Sequence, residues 1–114
     1  MAERHWSEGV ARAFLERKGW VFLDANYRWQ RGELDLVMRD GVTVVFVEVR
    51  QRSSSQFGGA ASSIDRQKVA RVRMTARHWA VRRLDRQDTP MRIDAVLVQG
   101  RRGACTITHL EAVG

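Results

Sequence analysis

Gly32-Glu33-Leu34-Asp35-Leu36-Val37-Met38-Arg39-Asp40-Gly41-Val42-Thr43-Val44-Val45-Phe46-Val47-Glu48-Val49-Arg50 is the stretch that decides the fold. Glu33 to Met38 opens with alternating polar and apolar residues, as a half-buried strand does. Asp40-Gly41 is a dipeptide that favours a tight hairpin turn. Val42 to Val49 is almost wholly β-branched or aromatic, which predicts a central strand covered on both faces. In such a hairpin Asp35 pairs close to Glu48, at the end remote from the turn. Glu48 and Arg50 are two apart, so their side chains leave the same face of the sheet.

Working outward, Ser7 is placed to cap a helix over about 7–18, with Glu8 in its first turn and Gly19 as its stop. Its apolar stripe is Val10 and Phe14, with Trp6 and Ala13 beside them. Trp20 to Leu23 reads as a short strand, followed by a polar turn through Asp24-Ala25-Asn26. Beyond the hairpin, Ser53 to Gly59 reads as a loop. Ser62 or Ser63 then caps a second helix that ends near Arg82 or Arg83, with Val69, Val72, Ala76, Trp79 and Ala80 as its apolar stripe. Arg66, Arg73 and Arg77 project from an adjoining face, and Lys68, Arg71 and Arg82 from another. Arg83 falls on the stripe itself, so the helix either frays there or the side chain snorkels. Met91 to Val98 is a further strand, Gly100 to Gly103 a turn, and Thr106 to Leu110 a last short strand. The order αβββαββ predicts an α/β fold: one mixed sheet flanked by helices, in a single domain spanning 1–114.

The composition narrows the partners. One domain fits 114 residues. Twenty basic residues against 13 acidic give a net charge of +7, and 18 of the 20 are arginine. Arginine binds phosphate through planar, bidentate contacts, so a polyanion such as DNA or RNA is one reading of this charge; a soluble enzyme that is merely basic is the other. The single cysteine, Cys105, excludes an internal disulfide and a Cys-based zinc finger. No apolar run approaches the roughly 20 residues of a membrane span. Met1 to Trp6 lacks the apolar stretch of a signal peptide, which makes a reducing cytoplasm the expected compartment.

Two carboxylates and a cation converging at one end of the sheet carry the chemistry. Asp35 and Glu48 are hard oxygen donors suited to Mg²⁺ or Mn²⁺, and Arg50 would steady charge on a phosphate. The plainer alternative is a surface salt-bridge cluster of the same three. His5, His78 and His109 are too scattered for a His-based site; Trp6, Trp20 and Trp79 read as core anchors, and Cys105 as a buried, inert thiol. Trp29, flanked by Arg28 and Arg31, either packs or stacks on a nucleobase. Asp94 opens a late strand from which it reaches either the second helix or the site.

The runs Gly32-Glu33-Leu34-Asp35-Leu36 and Val45-Phe46-Val47-Glu48-Val49-Arg50-Gln51-Arg52, with Phe57-Gly58, the basic second helix and Arg92-Ile93-Asp94-Ala95-Val96, resemble the YraN-like family of uncharacterised bacterial proteins. That family is similar to Holliday junction resolvases and other PD-(D/E)xK, restriction-endonuclease-like nucleases. The resemblance spans nearly the whole chain and implies a Mg²⁺- or Mn²⁺-dependent endonuclease acting on structured or double-stranded DNA. It implies Asp35 and Glu48 as metal ligands, with Glu8 as the first-helix acid that completes the site. Glu33 ranks below Glu8, because a residue adjacent to Asp35 on a strand points to the opposite face. The catalytic lysine of the superfamily falls at Arg50, which cannot give up its proton and so cannot act as a base. Lys68 is the candidate for a displaced lysine. Arg66, Lys68, Arg73 and Arg77 form the expected phosphate-binding surface, and a homodimer would follow from the twofold symmetry of resolvase substrates. A weakly active or non-catalytic DNA- or RNA-binding module on the same fold is the alternative that Arg50 raises.

Overall fold

The computed structural model describes residues 2–52 and 65–114, with side chains from residue 6 onward. Its elements are α1 (Ala2–Arg17), β1 (Val21–Trp29), β2 (Gly32–Asp40), β3 (Thr43–Arg52), α2 (Arg66–Arg83), β4 (Met91–Arg101) and β5 (Ala104–Leu110). The strands form one sheet in the order β1-β2-β3-β4-β5. All neighbours are antiparallel except β3 and β4, which run parallel because α2 carries the chain across the sheet between them. The expected αβββαββ order and mixed sheet are those observed.

The central strand is covered as its composition requires. Val45 and Val47 enter one core with Ala11, Leu15 and Trp20; Val44 and Phe46 enter the other with Val72, Ala76 and Trp79. The α1 and α2 helices thus cover opposite faces. Among the described residues, no helix is long and apolar enough to cross a membrane.

Several boundaries differ from the sequence reading. The first helix begins at Ala2, and Ser7 is a buried residue within it instead of its cap. Its buried line is Ser7, Ala11 and Leu15, while Val10, Phe14 and Trp6 pack along the margin. Small residues at Ser7 and Ala11 let the helix lie close to the sheet, which an apolar-stripe count overlooks. Asp24-Ala25-Asn26 is not a turn: β1 runs through it to Trp29. The turn-forming residues are used within the strand, where the register slips between Phe22 and Asp24 and Asn26 takes a left-handed φ of 53°. Asp24 then docks α2, accepting from Trp79 Nε1 at 2.9 Å and pairing with Arg83 at 3.3 Å. That ion pair answers the Arg83 question: the helix reaches Arg83 and its side chain snorkels to Asp24.

The cap of α2 is Asp65, whose side chain accepts from Gln67 N at 2.8 Å. Ser62, Ser63, the loop at 53–59 and Phe57-Gly58 lie outside the described residues. At the last hairpin β4 extends to Arg101 and β5 starts at Ala104, leaving a tighter turn than expected. Asp94 reaches neither α2 nor the carboxylate site. It is fully buried and accepts from Arg92 Nε at 2.9 Å and the Ala112 N–H at 2.9 Å, with His109 Nε2 at 2.8 Å. Those partners hold its carboxyl below the usual range despite burial.

Candidate functional site

The β2–β3 ladder pairs Leu36 with Val47 at its far end, so one further step brings Asp35 level with Glu48. There Asp35 Oδ2 accepts the Val49 N–H at 2.8 Å, fixing the carboxylate against the neighbouring strand. Glu48 shares the face of Phe46 and points toward α2. The start of β2 passes tightly under the same helix. A Cβ at Gly32 would collide with the Thr75 hydroxyl and stand 3.0 Å from Arg71 O. Only glycine allows this approach, and it closes one side of a cleft of about 200 Å³. Asp35, Glu48 and Glu33 supply its acids, and Arg31, Lys68 and Arg71 its cations.

Glu48 is the anomalous group. It is 6% exposed, and among the described residues neither carboxylate oxygen has a hydrogen-bond donor. Lys68 Nζ stands 3.2 Å from Oε1, a contact held by charge. Burial, and then the Asp35 charge, push the Glu48 carboxyl up to about 7, with Lys68 opposing. Burial likewise raises Asp35 to about 6; the Val49 N–H opposes this, and the Glu8 charge adds to the rise. Two carboxyls held together at such values form a site that favours either protons or a cation.

The other expected residues divide. Lys68 is in the cleft. Arg50 lines a narrow recess beside it with Glu48, Asp65, Lys68 and Val113, and its charge favours ionised Glu48 without an ion pair between them. Glu8 lies in a different cleft, next to Phe22, Ala25 and Leu36, where it accepts from Asn26 Nδ2 at 3.0 Å. Its charge acts on Asp35 more strongly than that of Glu33, although Glu33 lines the cleft itself, where it pairs with Arg28 at 3.6 Å. Strand alternation ranks Glu33 below Glu8, whereas the cleft takes in Glu33 as well as Asp35. Among the described residues, no three His, Cys, Asp or Glu side chains gather to hold a metal. Arg73 and Arg77 flank α2 on the side of Met91 and Ile93, away from the cleft, and Arg66 is exposed in the first turn.

Arg31 and Arg71 are the cleft residues that sequence reasoning missed. Arg31 immediately precedes the Gly-Glu-Leu-Asp run, and Arg71 follows Lys68 by three on one helix flank, so a signal existed for both. Trp29 stacks on His78, with centroids 4.5 Å apart and planes 14° from parallel, and also lines a cleft of its own.

Comparison with known proteins gives a consistent result. The model of "Uncharacterised protein family UPF0102" matches residues 7–98. A UPF0102 protein of Nitrosomonas europaea is 50% identical over 96 residues, covering 84% of this chain and 80% of that one. Another, from Beutenbergia cavernae, is 44% identical over 110 residues, or 96% and 92% of the two chains. The UPF0102 protein YraN of Salmonella newport is 51% identical over 82 residues, 72% of this chain and 63% of its own.

Proposed function

From a chain that belongs to the uncharacterised protein family UPF0102, we propose a metal-dependent endonuclease that hydrolyses phosphodiester bonds in structured or double-stranded DNA. The observation that carries this reading is Glu48, a carboxylate buried in one cleft with Asp35 and met, among the described residues, by a single ion pair from Lys68. Burying two carboxylates together is costly even with Lys68 beside one of them, and a divalent cation offsets that cost. The donor set fits Mg²⁺ or Mn²⁺, which are bound through one or two carboxylates, with waters and substrate phosphate completing the shell. Asp35 and Glu48 would hold the ion. Once bound, it supplies charge neutralisation at the phosphate and a lowered pKa for the attacking water.

The chain's own residues divide the remaining work. The Val49 N–H holds Asp35 through one carboxylate oxygen at the edge of the cleft, leaving the other for a ligand. Lys68 balances the Glu48 charge from the first turn of α2, at the cleft where the phosphate would sit. Arg31 and Arg71 sit at the cleft wall to grip the phosphodiester. Glu8 adds its charge to that of Asp35 and is the candidate third acid of the site.

A cleavage panel of single-stranded, duplex, flap and four-way-junction DNA with Mg²⁺ or Mn²⁺ tests the reading. Asp35→Ala and Glu48→Ala should abolish cutting while DNA binding persists. Lys68→Ala should lower the rate by about 10²-fold or more, the scale of a lost charge-stabilising group, and Arg50→Lys should change it little. Failure of the wild type to cut any of these substrates refutes the enzyme. A large gain of cutting in Arg50→Lys would instead identify a decayed enzyme that now serves as a binding module.

A further inference from the structure

Beside the carboxylate cleft lies a roomier one of about 460 Å³, walled by Trp29, Arg31, Gly32, Arg71, Met74 and Thr75. Arg31, Gly32 and Arg71 line both, so the two are contiguous. The Trp29 indole is held in place: His78 stacks on it, and His78 Nδ1 is hydrogen-bonded to Tyr27 Oη at 2.7 Å. Met74 is 56% exposed although apolar, and its thioether suits contact with an aromatic ring. Arg31 and Arg71 are exposed and carry no ion pair among the described residues.

We propose that this second cleft seats one unpaired nucleobase of the DNA substrate between Trp29 and Met74, while Arg31 and Arg71 hand its phosphate to the Asp35–Glu48 cleft. The proposal deepens the nuclease reading and rests on it. It specifies DNA with an unpaired nucleotide beside the cut, as at a flap, gap or branch point. A paired base has both faces covered by its neighbours and must be extruded at a cost, whereas an unpaired base enters without one. The cleft volume lies in the range of sites that enclose small ligands, and a pre-set aromatic with two guanidiniums that pair with no described residue is the chemistry that binds single-stranded nucleic acid.

The experiment measures binding of the full chain, in EDTA at fixed salt, to a labelled duplex bearing a short single-stranded flap and to the same flap made abasic next to the duplex. A missing base should weaken the wild type about tenfold, or about 1.4 kcal/mol. Trp29→Ala should lose as much on the intact flap and nothing further on the abasic one, and Trp29→Phe should recover most of the affinity. Equal wild-type affinity for both flaps overturns the subsite without reference to any variant, as does an equal loss in Trp29→Ala on both. If the wild type still cuts DNA with Mg²⁺ under either result, the nuclease reading survives and only the subsite falls. If neither flap nor duplex is bound and nothing is cut, both fall.

Discussion

Replacing Glu48 with glutamine should make the protein more stable at pH 8 and leave it nearly unchanged at pH 5. The folded state raises the Glu48 carboxyl from 4.5 to about 7 and that of Asp35 from 3.8 to about 6. Both groups hold protons more tightly when folded than when unfolded. Their contribution to stability is therefore fully present below the unfolded values and is lost as pH rises through about 6 for Asp35 and about 7 for Glu48. At about 1.4 kcal/mol for each tenfold change, the Glu48 rise corresponds to a cost on the order of 3 kcal/mol above pH 7. Asp35 alone gives a similar figure, but the two do not add, because they share one repulsion.

The Glu48→Gln substitution keeps the volume and removes the charge, so the variant escapes most of this cost. Lys68 loses its partner, which matters little because its side chain is 35% exposed. Urea unfolding followed by tryptophan fluorescence at pH 5, 6, 7 and 8 would measure the effect. The wild type should lose about 3 kcal/mol over that range and the variant markedly less. The two chains differ at one carboxyl, so contributions from other titrating groups largely cancel. Saturating Mg²⁺ should restore the wild type at pH 8, by about 2.7 kcal/mol at a hundredfold excess over its dissociation constant, and should leave the variant unchanged. A wild-type stability that is flat from pH 5 to 8, or a variant no more stable at pH 8, refutes the strained carboxylate pair.

Two further outcomes test the frame around the site. Gly32→Ala should cost about 1–3 kcal/mol in urea unfolding, because its Cβ meets the Thr75 hydroxyl and α2 must move away from β2. Asp94→Asn should cost about 3 kcal/mol near neutral pH, since it leaves a buried cluster of Arg92, His109 and the Ala112 N–H without its anion. The wild type should also lose the Asp94 contribution as pH falls below the ordinary carboxyl range, an acid limb that the Asn variant lacks.

The hairpin, the two-faced central strand and the order of elements were legible because each rests on local chemistry. Alternation, a turn dipeptide and a β-branched run are visible without knowing what packs on them. Asp24-Ala25-Asn26 misleads for the same reason: turn chemistry is local, but Asp24 is satisfied by Trp79 and Arg83, which lie more than fifty residues further along the chain. The proximity of Asp35 and Glu48 was likewise legible, because antiparallel register fixes it. Ranking Glu8 above Glu33 rests on strand alternation alone, which does not see that the start of β2 passes close under α2 at Gly32, beside a cleft that takes in Glu33.

The cation of the site shows what register cannot reach. Strand spacing places Arg50 on the face of Glu48, and the field of Arg50 does favour ionised Glu48, but no ion pair joins them. The group 3.2 Å from Glu48 is Lys68, on the first turn of α2 after the Asp65 cap. No rule of spacing along the chain links residues 48 and 68; the layer packing does, through Val72 and Phe46 in the same core. A lysine stem is long and flexible enough to reach a buried carboxylate from a helix above the sheet. Lys68 therefore gives this cleft an ammonium group beside its buried acid, which is why Lys68→Ala and Arg50→Lys are the pair of variants that tests the proposed enzyme against a binding module.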